Sequence, residues 1–295
     1  MGRALGWGLG LNLAFVVVEF ISGALAHSLA LISDGVHNLS DVPAMSLSLI
    51  ALLAQRRPAD PQRTYGYQRS GVLAAFVNAL ILVAVAGYIF YEAYRRFRNP
   101  VPVDAGLMLW VSLAGVGVNA LIALLMWGGR SDLNLRTVLI HNAGDAASSA
   151  GILLGALAIA RTGWTLVDPL LGFAIGLAVL WSSGGVIRET THILLEGTPR
   201  ELKVEEVARA MLKVSGVAEV HDIHIWSLAA HLHALSCHVR IREMSTRESE
   251  KILTQLNALL ARDFHISHTT IQFESRAEPE TAHYFPAGTR PDHSS

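Results

Sequence analysis

Six long apolar stretches occupy most of the first two thirds of the chain. They run over residues 5–26, 29–54, 70–91, 105–127, 133–160 and 166–187. A helix needs about 20 apolar residues to cross the hydrocarbon layer of a membrane, and each stretch is long enough. Charged residues make up only 16% of the sequence, against about 25% in an ordinary soluble domain. The sequence therefore predicts six transmembrane helices and argues against a single water-soluble globule.

The first stretch also has features of a secretory signal peptide. Arg3 precedes it, and Ala24-Leu25-Ala26 is typical of a cleavage site. The stretch is longer than the usual apolar core of a signal peptide and contains Glu19, so we favour a retained transmembrane helix.

The chain after residue 195 has an ordinary charged composition and a different periodicity. Residues 201–214 have the apolar spacing of a helix, and residues 217–228 and 231–242 alternate like strands. A second helix follows, which Ser245 or Thr246 can cap, and residues 268–274 form a third strand. The order α-β-β-α-β predicts a small ferredoxin-like α/β domain. We therefore expect a transmembrane domain over 1–195, a soluble domain over 196–277 and a flexible tail over 278–295.

The arginines between the spans predict the orientation in the membrane. With six spans both termini lie on the same side, and basic residues favour the cytoplasmic side. Cytoplasmic termini place eight arginines inside and four outside. The inside set is Arg3, Arg56, Arg57, Arg63, Arg69, Arg130, Arg136 and Arg188; the outside set is Arg95, Arg96, Arg98 and Arg161. We expect cytoplasmic termini, with the cluster at Arg95–Arg98 as the exception.

Charge and cysteine content limit the partners and the compartment. The net charge is −1, from 23 Lys and Arg against 24 Asp and Glu, which leaves no positive excess for nucleic acid phosphates. Nucleic acid is therefore not an expected partner. Cys237 is the single cysteine, so no intramolecular disulfide forms, which fits a soluble domain in a reducing compartment.

The second and fifth apolar stretches share a motif of histidine, asparagine and, four residues after the histidine, aspartate. His37 precedes Asp41, and His141 precedes Asp145. Residues four apart lie on one helix face, so each helix presents one imidazole and one carboxylate near the middle of its span. The two spans run in opposite directions, and the pairs supply four ligands when they face each other.

This ligand set suits Zn²⁺, which takes four imidazole and carboxylate donors in tetrahedral geometry. Mg²⁺ and Ca²⁺ prefer six or more oxygen ligands. Two carboxylates also balance the double charge of the ion where the dielectric constant is low. Affinity alone leaves Cd²⁺, Co²⁺, Fe²⁺ and Mn²⁺ open.

The alternative interpretation is that each pair is a structural hydrogen bond between helices. Ionisable groups at mid-span are costly and usually functional, and two matched pairs favour a cation site. Asp34, three residues before His37, either orients that histidine or provides a carboxylate on the path by which the ion enters. For Glu19, Asn78 and Asn119, inside other spans, we favour hydrogen bonds between helices.

These motifs resemble those of the cation diffusion facilitator family of metal/proton antiporters, over about residues 5–275. The residues that carry the resemblance are the two His-x-x-x-Asp motifs, Ser33-Asp34-Gly35, Tyr65-Gly66-Tyr67 and Val220-His221-Asp222-Ile223-His224-Ile225-Trp226. The resemblance implies a homodimer in the lipid bilayer, with six spans per subunit, a metallochaperone-like cytoplasmic domain and export of Zn²⁺ against protons. It also implies that His37, Asp41, His141 and Asp145 form the transport site.

Two connections between spans depart from patterns in that family. Many members carry histidines between spans two and three, where this chain reads Arg63-Thr64-Tyr65-Gly66-Tyr67, so the sequence does not support a metal site in that loop. The connection at residues 128–134 is short and has no histidine. Many eukaryotic relatives have a histidine-rich loop there, so we expect a bacterial inner-membrane protein.

The soluble part is rich in histidine. Its histidines are His221, His224, His231, His233, His238, His265 and His268. The resemblance implies cytoplasmic metal ligands at His221, at His238 and in the region of Gln272 and Glu274, with ordinary surface histidines as the alternative. Strand alternation places Cys237 in the core rather than among the ligands.

Two other classes of function are weighed against a transporter. An intramembrane zinc hydrolase needs an open metal position and a general base, and the His-Glu-x-x-His helix typical of such enzymes is absent from the sequence. We therefore expect that the protein is not an enzyme. A membrane metal sensor would use the soluble histidines to signal to a partner. Metal flux in vesicles that contain only this protein separates a transporter from a sensor.

Overall fold

The computed structural model describes residues 2–39, 60–126, 133–229 and 232–275. These residues form two compact units. The first contains the residues up to 39 and those from 74 to 188, and the second contains residues 60–73 and those from 189 onwards.

Helices build the first unit, as the apolar stretches predict. They are α1 (Gly2–Leu25), α2 (helical over 29–39), α3 (Ser70–Arg98), α4 (Ala105–Met126), α5 (Leu133–Thr162) and α6 (Val167–Leu194). Within the described ranges, four helices contain a segment long and apolar enough to cross a membrane: α3, α4, α5 and α6. The prediction of a helical membrane domain is confirmed, while the second predicted span beyond residue 39 lies outside the described residues.

Helix α2 packs into two apolar clusters of the first unit. Its Leu31 joins residues of α1, α4 and α5, including Phe15 and Ile152. Its Leu29 and Val36 join residues of α3 and α6. A Cβ atom on Gly172 of α6 would lie 2.8 Å from the Leu29 side chain, so a glycine is needed where these two helices meet. Helix α2 is therefore held from two sides.

The second unit confirms the predicted order α-β-β-α-β. Its elements are α7 (Val204–Met211), β1 (Val217–Ala229), β2 (Leu232–Ile241), α8 (Thr246–Phe264) and β3 (Ile266–Glu274). Strand β2 lies in the centre of the sheet, antiparallel to β1 and parallel to β3. Helix α8 makes the connection that a parallel pair requires. Val207, Leu235 and Leu256 are among the residues of the core between helices and sheet.

Some boundaries differ from the predicted ones. Helix α7 is shorter than the predicted helix over 201–214. Residues 201–202 precede its first turn, and residues 212–213 form a turn after its end. Ser245, rather than Thr246, occupies the N-cap of α8, and its backbone N–H and its hydroxyl both donate to Glu248. His231 and the predicted tail lie outside the described residues.

Candidate metal sites

His37 of α2 and Asp145 of α5 face each other in the first unit. The Nε2 atom of His37 lies 3.6 Å from Oδ1 of Asp145, and the two side chains are 22% and 7% exposed. These residues come from the two different predicted motifs, so α2 and α5 meet at one residue of each motif. Asp41 lies outside the described residues. His141 belongs to α5, four positions before Asp145, and its side chain is not among the described ones.

Hydrogen bonds join α2 to the neighbouring helices around this pair. Asp34, one turn before His37, accepts a hydrogen bond from Ser148 of α5. Asn38 donates to the carboxylate of Glu19 on α1 over 2.9 Å. This contact confirms the predicted interhelical hydrogen bond of Glu19. These bonds fix α2 against α1 and α5 at the residues next to His37.

The two asparagines predicted to join helices have different surroundings. Asn119 of α4 is buried, and its backbone carbonyl accepts a hydrogen bond from the side chain of Asn142 on α5. The α4–α5 contact therefore uses the main chain of Asn119. Asn78 is half-buried on α3.

A second cluster of metal-binding side chains lies in the second unit. His221, His238 and Glu274 come from β1, β2 and β3, and one potential ligand atom from each lies within 4.8 Å of the others. Nε2 of His221 is 3.1 Å from Oε2 of Glu274, and Nδ1 of His238 is 2.8 Å from Oε1. His221 pairs directly with His238, and His238 pairs with Gln272 on the adjacent parallel strand. Glu274 lies two residues after Gln272, on the same face of β3, and its side chain reaches both histidines.

Gln272 lies beside this cluster rather than inside it. Its side-chain amide donates to Oε1 of Glu274 over 3.1 Å. The structure thus brings together three of the four residues that the sequence suggested for the cytoplasmic site and places the fourth in contact with the carboxylate.

Asp222 is a neighbour of this cluster that sequence reasoning did not single out. Its φ of 48° lies in the left-handed region, at an irregularity of the β1–β2 pairing between His221 and His224. Its Oδ1 is 3.1 Å from Nε2 of His224 and its Oδ2 is 3.9 Å from Nε2 of His238. The available signal was its position directly after His221, inside the motif over 220–226 that carries the family resemblance.

Cys237 is a core residue, as predicted. It belongs to the apolar core of the second unit. Burial, and secondarily the negative charge of Asp222, raise the pKa of its thiol to about 12. Because metals bind the thiolate, this sulfur is a poor ligand near neutral pH.

The described part of the connection before α3 is held by contacts of Asp60, Arg63 and Tyr65. Asp60 accepts hydrogen bonds from the backbone N–H groups of Gln62 and Arg63. The Arg63 guanidinium lies 4.8 Å from the centre of the Tyr67 ring. The Tyr65 ring packs edge-on against His268 of β3, with 5.1 Å between the ring centres. These contacts hold the turn through charge and aromatic packing.

Comparison with known proteins covers both units. Residues 7–195 match the cation efflux transmembrane domain, and residues 199–276 match the cytoplasmic domain of cation efflux proteins. The chain belongs to the cation efflux family. The resemblance inferred from the two motifs is thereby confirmed, and the family is one of metal transporters.

Individual relatives are similar over most of their length. The cadmium, cobalt and zinc/H⁺-K⁺ antiporter of Bacillus subtilis (strain 168) is 38% identical over 267 residues, which are 89% of this chain and 86% of the relative. Zinc transporter ZitB of Escherichia coli (strain K12) is 36% identical over 275 residues, 92% of this chain and 87% of that protein. A solved structure, the metal-bound C-terminal domain of the CzcD transporter from Cupriavidus metallidurans, is 38% identical and covers 25% of this chain and 99% of its own, with a TM-score of 0.23.

Proposed function

We propose that the protein is a secondary transporter that exports Zn²⁺ from the cytoplasm in exchange for protons. The observation that carries the proposal is the 3.6 Å approach of His37 and Asp145 from two helices of the membrane unit. An imidazole nitrogen and a carboxylate oxygen at this separation are close enough to share one ion, and ionisable groups inside a membrane are usually functional. Membership of the cation efflux family supports the same conclusion.

In this proposal the ion is held by His37, Asp41, His141 and Asp145. Two imidazoles and two carboxylates form a tetrahedral N/O set that suits Zn²⁺. The two negative charges balance the ion, so the loaded site is neutral where charge is costly. Cd²⁺ and Co²⁺ are proposed as further substrates, because such a site excludes neither by affinity and because the antiporter of Bacillus subtilis is named for both.

Proton exchange follows from the same ligands. Zn²⁺ requires neutral imidazoles and ionised carboxylates, so its binding displaces protons from the site. Histidine is the residue type that exchanges protons nearest neutral pH. Glu19 on α1 and Asp34 on α2 are both buried, and each takes part in a hydrogen bond between helices beside His37. In this proposal they are two further carboxyl groups near the ion.

The cluster of His221, His238 and Glu274 is proposed as a cytoplasmic Zn²⁺ site. Two imidazoles and one carboxylate are donors that Zn²⁺ accepts, and all three residues lie on the rigid strands of one sheet. Gln272, in contact with Glu274, orients the carboxylate in this proposal. Bound metal there would link the three strands and couple the metal concentration to the shape of the domain.

We propose a homodimer in a bacterial inner membrane, with both termini in the cytoplasm. Eight arginines on the inside against four outside support this orientation. The exception at Arg95–Arg98 has a local explanation: Arg95 and Arg96 form ion pairs with Glu92, so at least these two arginines serve the packing of the protein. The proposed division is a transport domain over 1–195, a cytoplasmic domain over 196–277 and a flexible tail.

The deciding experiment is metal flux into proteoliposomes that contain only this protein. We expect Zn²⁺ uptake that accelerates when a pH gradient is imposed and that stops in Asp145→Asn. Asp104→Asn is the matched control, since Asp104 is an exposed carboxylate at the start of α4. Zn²⁺ binding without flux would refute transport and point to a metal sensor.

A further inference from the structure

The carboxylate of Asp168 is completely buried, with 0% of the residue exposed, in the first turn of α6. It accepts three hydrogen bonds from the start of α2. The donors are the hydroxyl of Ser28 at 2.6 Å, the N–H of Leu29 at 2.7 Å and the N–H of Ala30 at 3.1 Å. All three donors come from the one short segment that opens α2.

These bonds add to the local cap of α2, in which the Ser28 hydroxyl accepts from the N–H of Leu31 over 3.2 Å. The first N–H groups of a helix have no partner inside the helix, and a side chain next to them in sequence normally accepts their hydrogen bonds. For the N–H groups of Leu29 and Ala30 the acceptor belongs to α6, about 140 residues later in the chain. The negative charge also lies at the positive end of the α2 dipole, which is favourable.

Arg96 of α3 completes the arrangement. Its Nη1 lies 3.3 Å from Oδ2 of Asp168 and donates to the backbone carbonyl of His27, in the turn before α2. Its Nε donates to Glu92 over 2.9 Å. Arg96 is only 11% exposed in its side chain, and its charge compensates the buried carboxylate, which would otherwise be costly. The start of α2 is therefore attached to both α3 and α6.

The start of α2 is one of two attachments that set where His37 lies, the other being the hydrogen bonds of Asp34 and Asn38 beside it. The helix is continuous from residue 29 to residue 39, and at about 1.5 Å per residue His37 stands about 12 Å along the axis from Leu29. A shift or tilt at the first turn is carried along this rigid element. The distance between His37 and Asp145 then changes with it.

We propose that Asp168, held by Arg96, is a positioning residue that sets the axial position of α2 and so presents His37 to Asp145. This inference rests on the proposed function, because it assigns a role at the proposed transport site. In this proposal Asp168 is not a ligand of the ion. Its role is to keep two ligands from different helices within reach of one ion. Losing this geometry lowers the affinity for Zn²⁺ steeply.

The test measures Zn²⁺ affinity at the transport site of the full-length protein. All variants carry His238→Ala, which weakens the cytoplasmic cluster, and binding is followed by calorimetry. We expect Asp168→Asn to weaken Zn²⁺ binding about 10- to 100-fold. Ser28→Ala removes one of the three hydrogen bonds to Asp168 together with the local cap on Leu31 N–H. It leaves two of the three bonds in place, so we expect a smaller loss, and it keeps the test decisive if Asp168→Asn does not fold. Asp104→Asn is the control, because Asp104 caps α4 by accepting from Leu107 N–H.

A double-mutant cycle separates positioning from general destabilisation. If Asp168 acts through the position of His37, its substitution has no further effect on Zn²⁺ binding in a His37→Ala background. Wild-type affinity in a folded Asp168→Asn or Ser28→Ala protein, or an undiminished effect in the His37→Ala background, overturns the proposal. If His37→Ala alone binds and transports Zn²⁺ like the wild type, the proposed transport site itself is refuted. That result is distinct from the two outcomes that overturn only the role of Asp168.

Discussion

His37 and Asp145 are 108 positions apart in the sequence, and their Nε2 and Oδ1 atoms are 3.6 Å apart in the structure. Each belongs to a His-x-x-x-Asp motif on its own helix. The contact therefore joins the two motifs across the helix boundary rather than within one helix. A cation shared by the two side chains would stabilise this arrangement. Substituting one of its ligands is the most direct test of the site.

Asp145→Ala is expected to abolish Zn²⁺ transport while the protein remains folded and dimeric. The change removes one ligand and leaves the charge of the ion half compensated inside the membrane. The same result is expected for Asp41→Ala. Flux in proteoliposomes and size-exclusion chromatography check the two parts of the prediction. Full Zn²⁺ flux in either variant would contradict the four-ligand site.

His37→Asp is expected to broaden the range of transported ions toward Mn²⁺ and Cd²⁺. Replacing an imidazole with a carboxylate makes the site harder and more adaptable in ligand number. Competition between Zn²⁺ and each ion in the same vesicles measures the preference. An unchanged order of preference would show that selectivity resides in other residues.

Glu274→Gln is expected to weaken Zn²⁺ binding at the cytoplasmic cluster by about 10- to 100-fold. The carboxylate lies within 3.1 Å of both histidines, and the amide that replaces it carries no charge to balance the ion. Binding is measured on full-length protein that also carries Asp145→Ala, so that the membrane site does not contribute. Glu243→Gln, at a residue between β2 and α8, is the control. Equal affinity in the Glu274 variant would place the cytoplasmic metal elsewhere.

Repeating patterns explain what the sequence could predict. Apolar runs of membrane length located the helices, and alternation along 231–242 placed Cys237 in the core and His238 on the opposite face, as the burial pattern of β2 confirms. The approach of His37 to Asp145 also agrees with the sequence, which places both motifs near the middle of spans that run in opposite directions.

Contacts without a local pattern could not be predicted. The bond between Asp168 and Ser28 joins residues 140 positions apart, and nothing near either residue signals the other. The contacts of Asp222 could not be predicted from its position after His221, because its left-handed backbone lies at an irregularity in strand pairing. Gln272 and Glu274 lie on the same face of β3, and the register pairs His238 with Gln272. Only the side-chain positions show that Glu274 is the residue that contacts both histidines.

Ser245→Ala is expected to destabilise the second unit by about 1 kcal/mol, because an N-cap residue of α8 is lost. Hydrogen bonds from Ser245 lower the pKa of Glu248 below its ordinary value of 4.5. A carboxyl group with a lowered pKa stabilises the fold at pH above its unfolded value, and this contribution disappears as the pH falls through the folded value. The difference in stability between wild type and Ser245→Ala should therefore shrink below about pH 4.5. Thermal unfolding over a pH series measures this difference. A difference that stays constant into strong acid would contradict the proposed role of the Ser245–Glu248 hydrogen bonds.

The exchange of one Zn²⁺ for two protons is the stoichiometry that the charge of the proposed site favours. With Asp41 and Asp145 ionised, the site is neutral when it holds Zn²⁺ and also when His37 and His141 are both protonated. Exchange for a single proton would return a site with one negative charge in a low-dielectric interior, which is costly unless another group such as Asp34 carries the missing proton. Two-proton exchange moves no net charge, so the Zn²⁺ gradient at which flux reverses should be independent of membrane potential. Proteoliposomes clamped at several potentials with potassium and valinomycin provide the measurement, and a reversal point that moves with voltage as expected for one net charge would refute the two-proton stoichiometry.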